Sequence, residues 1–175
     1  MNSVTRRDLD NEAEGARRWW SGLRGGEGGP VDRAALAMLR RCRAPVDAWG
    51  VPAFHELRGA LAAADPDRLA VLAIVLAHVK EDVPGGRVAA LLGGVGEARP
   101  RMTELRFRRL LLVRSEDEMI VVFARMVHLL GGRVPVRDLS RAILAWERDG
   151  IRQRWAFAYF DAADAAPAST VAETA

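Results

Sequence analysis

The sequence predicts an all-α fold, a compact helical bundle in which two helical halves pack together. Apolar residues recur at helical spacing along most of the chain, no segment shows sustained alternation of period two, and 50% of the residues are hydrophobic. At 175 residues the chain is long enough to bury a sizeable core. We place a single domain at residues 1–160, with halves at about 11–92 and 101–160. Residues 161–175 are expected to form a disordered acidic tail.

The clearest helix lies in DPDRLAVLAIVLAHVKED, residues 65–82. Asp65 is a favourable N-cap and Pro66 occupies the first helical position. The segment from Leu69 to Val79 is apolar nearly all round, which predicts a central helix that is buried on most sides. Further helices are predicted at about 11–23, 32–43 and 52–63, with the glycine-rich GGEGGP at 25–30 as a flexible connector.

The glycine-rich stretch at residues 84–100 is the expected boundary between the halves, with a short helix at 87–92. Four helices are predicted after it, at about 103–113, 115–130, 136–147 and 151–160. Ser115 is the expected N-cap of the second of these, with three acids in its first turn, and a Gly-Gly pair ends it.

Several functional classes are not supported by the composition. The lone Cys42 excludes an internal disulfide, and no run approaches the roughly 18 apolar residues of a membrane span, so a cytoplasmic protein without a membrane partner is expected. The three histidines are far apart, and His78 and His128 lie inside apolar helices. We therefore expect no metal site, no cofactor and no catalytic constellation.

Positive charge is arranged in blocks along the chain. The net charge is +3 and the sequence pI is about 9.9. Residues 101–114 alone carry +4, five arginines against Glu104. Such blocks form a phosphate-binding surface if the fold brings them together, although arginine-rich composition by itself is weak evidence for nucleic acid.

The segment ELRFRRLLLVR, residues 104–114, separates into two stripes when it is drawn as a helix. Phe107, Leu110 and Leu111 form the expected core stripe. The neighbouring stripe is mixed and is expected at a groove or junction; it contains Arg101, Leu105, Arg108, Arg109 and Leu112. A purely structural alternative is that these arginines pair with acids of neighbouring helices. Arg114 falls towards the core face and is the best candidate for a structural arginine.

Arginines also cluster in two other segments. Arg40, Arg41 and Arg43 lie at the end of a helix, after ALAML. Arg152 and Arg154 lie near the start of the last helix, where basic residues do not favour the helix dipole, so an acidic neighbour or a phosphate is expected beside them. The five tryptophans are expected mainly as core anchors, with base stacking as the alternative.

The order of ARRWWSGL, AALAMLRRC, VPAFHEL, LAVLAIVLAHV, RMTELRFRRLL, HLLGG and RWAFAYF resembles the CasB family, over about residues 16–160. CasB is the small subunit of Cascade, the RNA-guided surveillance complex of type I-E CRISPR systems. The resemblance implies an all-helical, non-enzymatic protein. It further implies that the chain pairs with a second copy, binds other Cascade subunits, and holds guide RNA and target DNA through a basic surface that stabilises the R-loop.

The resemblance also implies which residues contact nucleic acid. By position, Arg40 and Arg41 match the basic pair before PAF, and Arg101, Arg106 and Arg109 match the basic helix. Arg152 and Arg154 match the basic stretch after the tryptophan-bearing helix. Weaker matches are Arg68 and Lys80, at the ends of the buried helix, and Arg108 is added from the stripe geometry.

Two other classes remain open from the sequence. A helical adapter would use its arginines only for protein partners, without direct nucleic-acid contact. A helix-turn-helix regulator is less consistent with the sequence, because no compact three-helix unit with a polar recognition helix is visible.

Overall fold

The structure, a computed structural model, describes residues 5–165 and is built almost entirely of helices. Within these residues the α-helices are α1 (Arg6–Leu23), α2 (Arg33–Arg41), α3 (Pro45–Ala48), α4 (Pro52–Ala60), α5 (Pro66–Ala77), α6 (Val88–Leu92), α7 (Glu104–Leu112), α8 (Glu116–Leu129), α9 (Val136–Leu144) and α10 (Asp149–Asp164). Two strands of two residues each, β1 (Glu81–Asp82) and β2 (Arg133–Val134), form a parallel pair. The predicted all-α class is confirmed.

Helix α5 is the centre of the molecule, as its apolar sequence predicts. The Asp65 carboxylate accepts a hydrogen bond from the Arg68 backbone N–H at 3.0 Å, so the predicted N-cap is present. Every residue from Leu69 to Ala77 is buried. The helix packs against α2, α3 and α4 from its own half of the chain and against α8 and α9 from the other half.

The predicted extent of this helix, to residue 82, is wrong. Helix α5 ends at Ala77, and the backbone N–H groups of Lys80 and Glu81 donate to the Gly132 carbonyl at 2.8 and 3.1 Å. The Asp82 carboxylate accepts from the Val136 N–H at 2.9 Å. These long-range hydrogen bonds replace the intrahelical ones that a longer α5 would form. They cannot be predicted from the local sequence pattern.

Other boundaries also differ from the prediction. Helix α1 begins at Arg6 because Thr5 and Asp8 form a capping box. The GGEGGP segment is a tight turn rather than an open connector, since Gly26–Gly28 forms a 3₁₀ turn and Arg24 bridges to Val31. Helix α10 continues to Asp164, and residues 166–175 of the expected tail lie outside the described part of the chain.

The two ranges expected as halves contribute to one continuous core. Helix α1 packs on α9, α6 on α10, and α5 on both α8 and α9. At the centre of the second range, Trp146 meets Phe123 and Trp155 edge-on, with ring centroids 5.0 and 5.1 Å apart. These rings lie in the hydrophobic core, where such arrangements add to the burial of apolar area.

Most of the tryptophans are core anchors. Trp20, Trp146 and Trp155 are buried, and Trp19 is half-buried with its indole N–H donating to the Ala53 carbonyl at 2.9 Å. Trp49 is the exception, with 49% of its surface exposed. Among residues 5–165, no helix is both long enough and apolar enough to cross a bilayer.

Candidate nucleic-acid interface

A groove between α7 and α8 brings together three arginines. The cavity measures about 490 Å³ and is lined by Arg106 and Arg109 of α7 and Arg125 of α8. Between the arginines lie six apolar residues, Met102, Leu110, Val113, Val122, Met126 and Leu129, and one acid, Glu118. All three arginines are exposed and form no ion pair among residues 5–165. Such a groove presents solvent-exposed guanidinium groups beside an apolar floor.

The segment 104–114 positions this groove because its core stripe is fixed by packing. Phe107 and Leu110 are buried, and the Phe107 ring stacks on Tyr159 with centroids 3.9 Å apart. The Tyr159 hydroxyl donates to the Met102 carbonyl at 2.6 Å. With that face held against α10, residues 106 and 109 point towards α8. Leu111 is only half-buried, so the predicted core stripe is confirmed at two of its three residues.

The mixed stripe is more exposed than predicted. Leu105 and Leu112 are 62% and 69% exposed, and do not pack at a junction within the described chain. Arg101 pairs with Glu97 and Arg108 with Glu104, acids of their own segment rather than of α8. Exposed pairs of this kind contribute little to stability. Arg114 is exposed and does not face the core as predicted, but its guanidinium donates to the Leu111 and Val113 carbonyls, both at 2.8 Å.

A second basic group lies where α2 and α5 end. The Arg40 guanidinium donates from Nε to the Ala77 carbonyl at 2.8 Å, and Arg41 beside it is exposed without an ion pair in the described chain. Next to them, the rings of His78 and His128 meet edge-on with centroids 5.0 Å apart. Burial lowers the pKa of His78 to about 4, and the charges of His128, Arg40 and Arg43 act in the same direction.

These contacts connect the two basic groups through α8. His78 is close enough to Arg40 and Arg43 to be affected by their charge, and it touches His128. His128 follows Arg125 by three residues and therefore lies on the same side of α8. The Lys80 side chain lies against Gly132, just beyond the end of that helix. We call this run of neighbours the basic face; it comprises Arg40, Arg43, Lys80, Arg106, Arg109, Arg125 and His128, together with Arg41, which adjoins Arg40 in the sequence.

Besides Arg101 and Arg108, which pair with Glu97 and Glu104, three further predicted residues lie outside the basic face. Only 11% of the Arg68 side chain is exposed, and its guanidinium lies 3.4 Å from Glu116 and 3.7 Å from Glu147. Arg152, 13% exposed, donates to the Trp146 carbonyl at 2.7 Å and pairs with Asp149. Arg154 lies in a different cavity, between α1, α6, α9 and α10. Burial and internal partners thus account for the first two without a phosphate.

Three features of the basic face were not predicted from the sequence. Arg125 and Arg43 were not candidate site residues, and the contact between His78 and His128 was not expected. Arg125 is a single arginine in an apolar helix, and it gains its place from Arg106 and Arg109 across the groove. The sequence does contain a pattern that could have indicated this site. The residues Val121, Arg125, His128 and Leu129 have helical spacing and share one side of α8, which is exposed. No group of three or more His, Cys, Asp or Glu residues able to hold a metal occurs in residues 5–165.

Comparison with known proteins identifies the family. The family model described as CRISPR-associated protein Cse2 matches residues 35–160. A chain in the crystal structure of E. coli Cascade bound to a PAM-containing dsDNA target (32-nt spacer) matches with a TM-score of 0.64 and 17% identity, covering 86% of this chain and 95% of that chain. At that identity the likeness shows the fold. No curated protein matches significantly. Cse2 is the CasB family that the sequence pattern resembles, and this chain belongs to it.

Proposed function

We propose that this protein is a non-catalytic subunit of a Cascade-type CRISPR ribonucleoprotein, in which the basic face holds nucleic-acid backbone and stabilises the R-loop. One observation carries the proposal: three arginines without internal ion pairs converge on one groove in a chain of the Cse2 family. The matched structure is a Cascade bound to double-stranded DNA, which is the setting that the proposal assigns to this chain.

Binding of this kind does not depend on sequence. Arginine contacts to phosphates release condensed counterions, so affinity decreases steeply with salt. The exchange of a DNA duplex for an RNA–DNA heteroduplex is nearly balanced, and contacts to the displaced or target strand can therefore favour it. The apolar floor of the groove suits the alkyl stems of the arginines and the sugar edges of a strand.

Contacts with other subunits and with a second copy belong to the same proposal. Leu105 and Leu112 share one side of α7, next to the side that carries Arg109. Their exposure gives α7 an apolar strip next to a basic one. Apolar residues at the centre of a patch with charged residues at its rim are typical of protein interfaces.

The same apolar strip is the observation that favours the alternative function, a protein adapter without nucleic-acid contact.

The test compares two triple variants with the same change in charge. Replacing Arg106, Arg109 and Arg125 by alanine removes the groove arginines, while replacing Arg18, Arg33 and Arg58 by alanine removes three exposed arginines from α1, α2 and α4. Affinity for single-stranded and duplex DNA is measured by gel shift or anisotropy over a series of salt concentrations.

We expect the groove triple variant to bind more weakly and to reduce the salt slope by about two to three, because about one counterion is released for each phosphate contact. The control triple variant should retain most of the slope. Equal losses in both variants would mean that only net charge matters and would exclude the groove. Absence of binding by the wild-type protein at low salt would favour the adapter.

A further inference from the structure

A second basic cavity lies on a different part of the molecule from the α7–α8 groove. It measures about 120 Å³ and is lined by four arginines from four places in the chain: Arg6 at the start of α1, Arg87 before α6, Arg141 on α9 and Arg154 on α10. The rest of the lining is mainly apolar and comprises Ala89, Ala142, Ile151, Trp155 and Ala158. The small alanine side chains leave space between the arginines. The volume is about that of four water molecules.

The positive charge of this cavity is not balanced within the described chain. Asp138 is the acid in its lining, and one carboxylate oxygen accepts from the Val88 N–H at 2.9 Å. Arg141 pairs with Asp10 of α1, but its buried Nε has no hydrogen-bond partner within the described chain. Arg6, Arg87 and Arg154 form no ion pair among residues 5–165.

The arginines are close enough to repel one another. The pKa of Arg154 is lowered first by burial and then by the positive charges of Arg141, Arg6 and Arg87, with Asp138 acting against them. Burial raises the pKa of Asp138, whereas the hydrogen bond from the Val88 N–H and the charges of Arg141, Arg154 and Arg87 act in the opposite direction. A cluster of like charges costs free energy unless something of opposite charge joins it.

We propose that this cavity is a phosphate-binding site, in which Arg87, Arg141, Arg154 and Arg6 hold a single phosphate group. Several guanidinium groups around one small cavity match a tetrahedral anion with several oxygens, whereas a carboxylate is satisfied by a single arginine fork. The phosphate is either a free ion or a phosphodiester of a nucleic-acid strand. The proposal stands on its own residues and does not depend on the α7–α8 groove.

The first experiment uses inorganic phosphate and a matched pair of double variants. Arg87→Gln with Arg154→Gln removes two cavity arginines, while Arg33→Gln with Arg58→Gln removes two exposed arginines elsewhere. Thermal unfolding is followed with increasing phosphate, with chloride used to keep the ionic strength constant. Phosphate stabilises proteins in general through exclusion from their surface, so only differences between the variants count.

Without phosphate, we expect the cavity variant to melt a few degrees higher than the wild type, because charge repulsion is relieved. Phosphate should then raise the melting temperature of the wild type and the control variant more than that of the cavity variant. Titration calorimetry should show at least tenfold weaker phosphate binding by the cavity variant. Equal phosphate effects in all three proteins, or a cavity variant that is less stable than the control without phosphate, would overturn the proposal.

The second experiment separates the two sources of phosphate and the two sites. A short unlabelled DNA oligonucleotide that displaces phosphate from the wild type identifies a phosphodiester as the source, and failure to displace it identifies the free ion. The groove triple variant should lose DNA affinity and keep phosphate binding. If the wild type binds phosphate but no DNA, the proposed function fails and the cavity assignment holds.

Discussion

Arg40 and Arg41 are neighbours in the sequence with different surroundings in the fold. Arg40 donates to the Ala77 carbonyl at the end of α5, where a positive charge also favours the helix dipole. Arg41 is exposed. We expect Arg40→Met to lower the free energy of unfolding by about 1–2 kcal/mol, and Arg41→Met to change it by less than about 0.5 kcal/mol. Urea denaturation measures both, and equal effects would contradict the capping role of Arg40.

His78 makes the stability of the protein depend on pH. Burial lowers its pKa to about 4 in the folded chain, whereas the unfolded value is near 6.5. Between these values the unfolded chain binds a proton that the folded chain does not. Stability should therefore be complete above about pH 6.5 and decrease as the pH falls towards 4, with a slope of at most about 1.4 kcal/mol per pH unit.

The variant His78→Gln isolates this contribution. Because the variant has no imidazole at this position, the difference in unfolding free energy between wild type and variant should become smaller or change sign as the pH is lowered. Chemical denaturation at pH 7, 6, 5 and 4.5 gives the two curves. Parallel curves over this range would show that His78 titrates normally in the folded protein.

At the scale of elements, α6 and α10 approach one another through Gly93. A Cβ atom at this position would lie 2.3 Å from the Tyr159 carbonyl oxygen and 3.0 Å from the Ala162 Cβ. Gly93→Ala therefore forces the helices apart and should cost about 2–3 kcal/mol. Gly22→Ala, in α1, meets nothing within 4 Å and should stabilise the protein by about 0.5 kcal/mol. Thermal unfolding of both variants checks the contrast.

Helix α7 shows how far a single sequence predicts a site. Periodicity places Phe107 and Leu110 on the core face, because their spacing alone determines which side chains share a side of a helix. It does not say what covers the neighbouring side, and Leu105 and Leu112 are exposed where a junction was expected. Arg68 illustrates the same limit: its partners Glu116 and Glu147 are distant in sequence, so its burial depends on tertiary packing.

Glycine and turn residues in the sequence predicted the ends of helices better than they predicted the contacts made by the segments between them. The Gly-Gly pair ends α8 as expected, with both residues at positive φ. The carbonyl of Gly132 then accepts hydrogen bonds from two backbone N–H groups of the segment after α5, next to the β1–β2 pair. A two-residue parallel pair between positions some fifty residues apart leaves no periodic trace in the sequence.

At the scale of the whole molecule, the packing links the two ranges that were expected as halves. Helix α5 contacts α8 and α9, α1 contacts α9, and α6 contacts α10, so no subset of helices can leave without exposing apolar surface of the rest. A single core of this size is expected to unfold in one cooperative transition. We expect far-UV circular dichroism and tryptophan fluorescence to give the same urea midpoint.

The two probes weight the two ranges differently. Fluorescence comes from Trp19, Trp20 and Trp49 of the first range and from Trp146 and Trp155 of the second, while circular dichroism averages over helices of both. Gly93→Ala weakens the contact of α6, from the first range, with α10, from the second, and should shift both midpoints together by the same amount. Separation of the two midpoints in the wild type, or a shift of only one of them in Gly93→Ala, would show that the halves unfold as separate units.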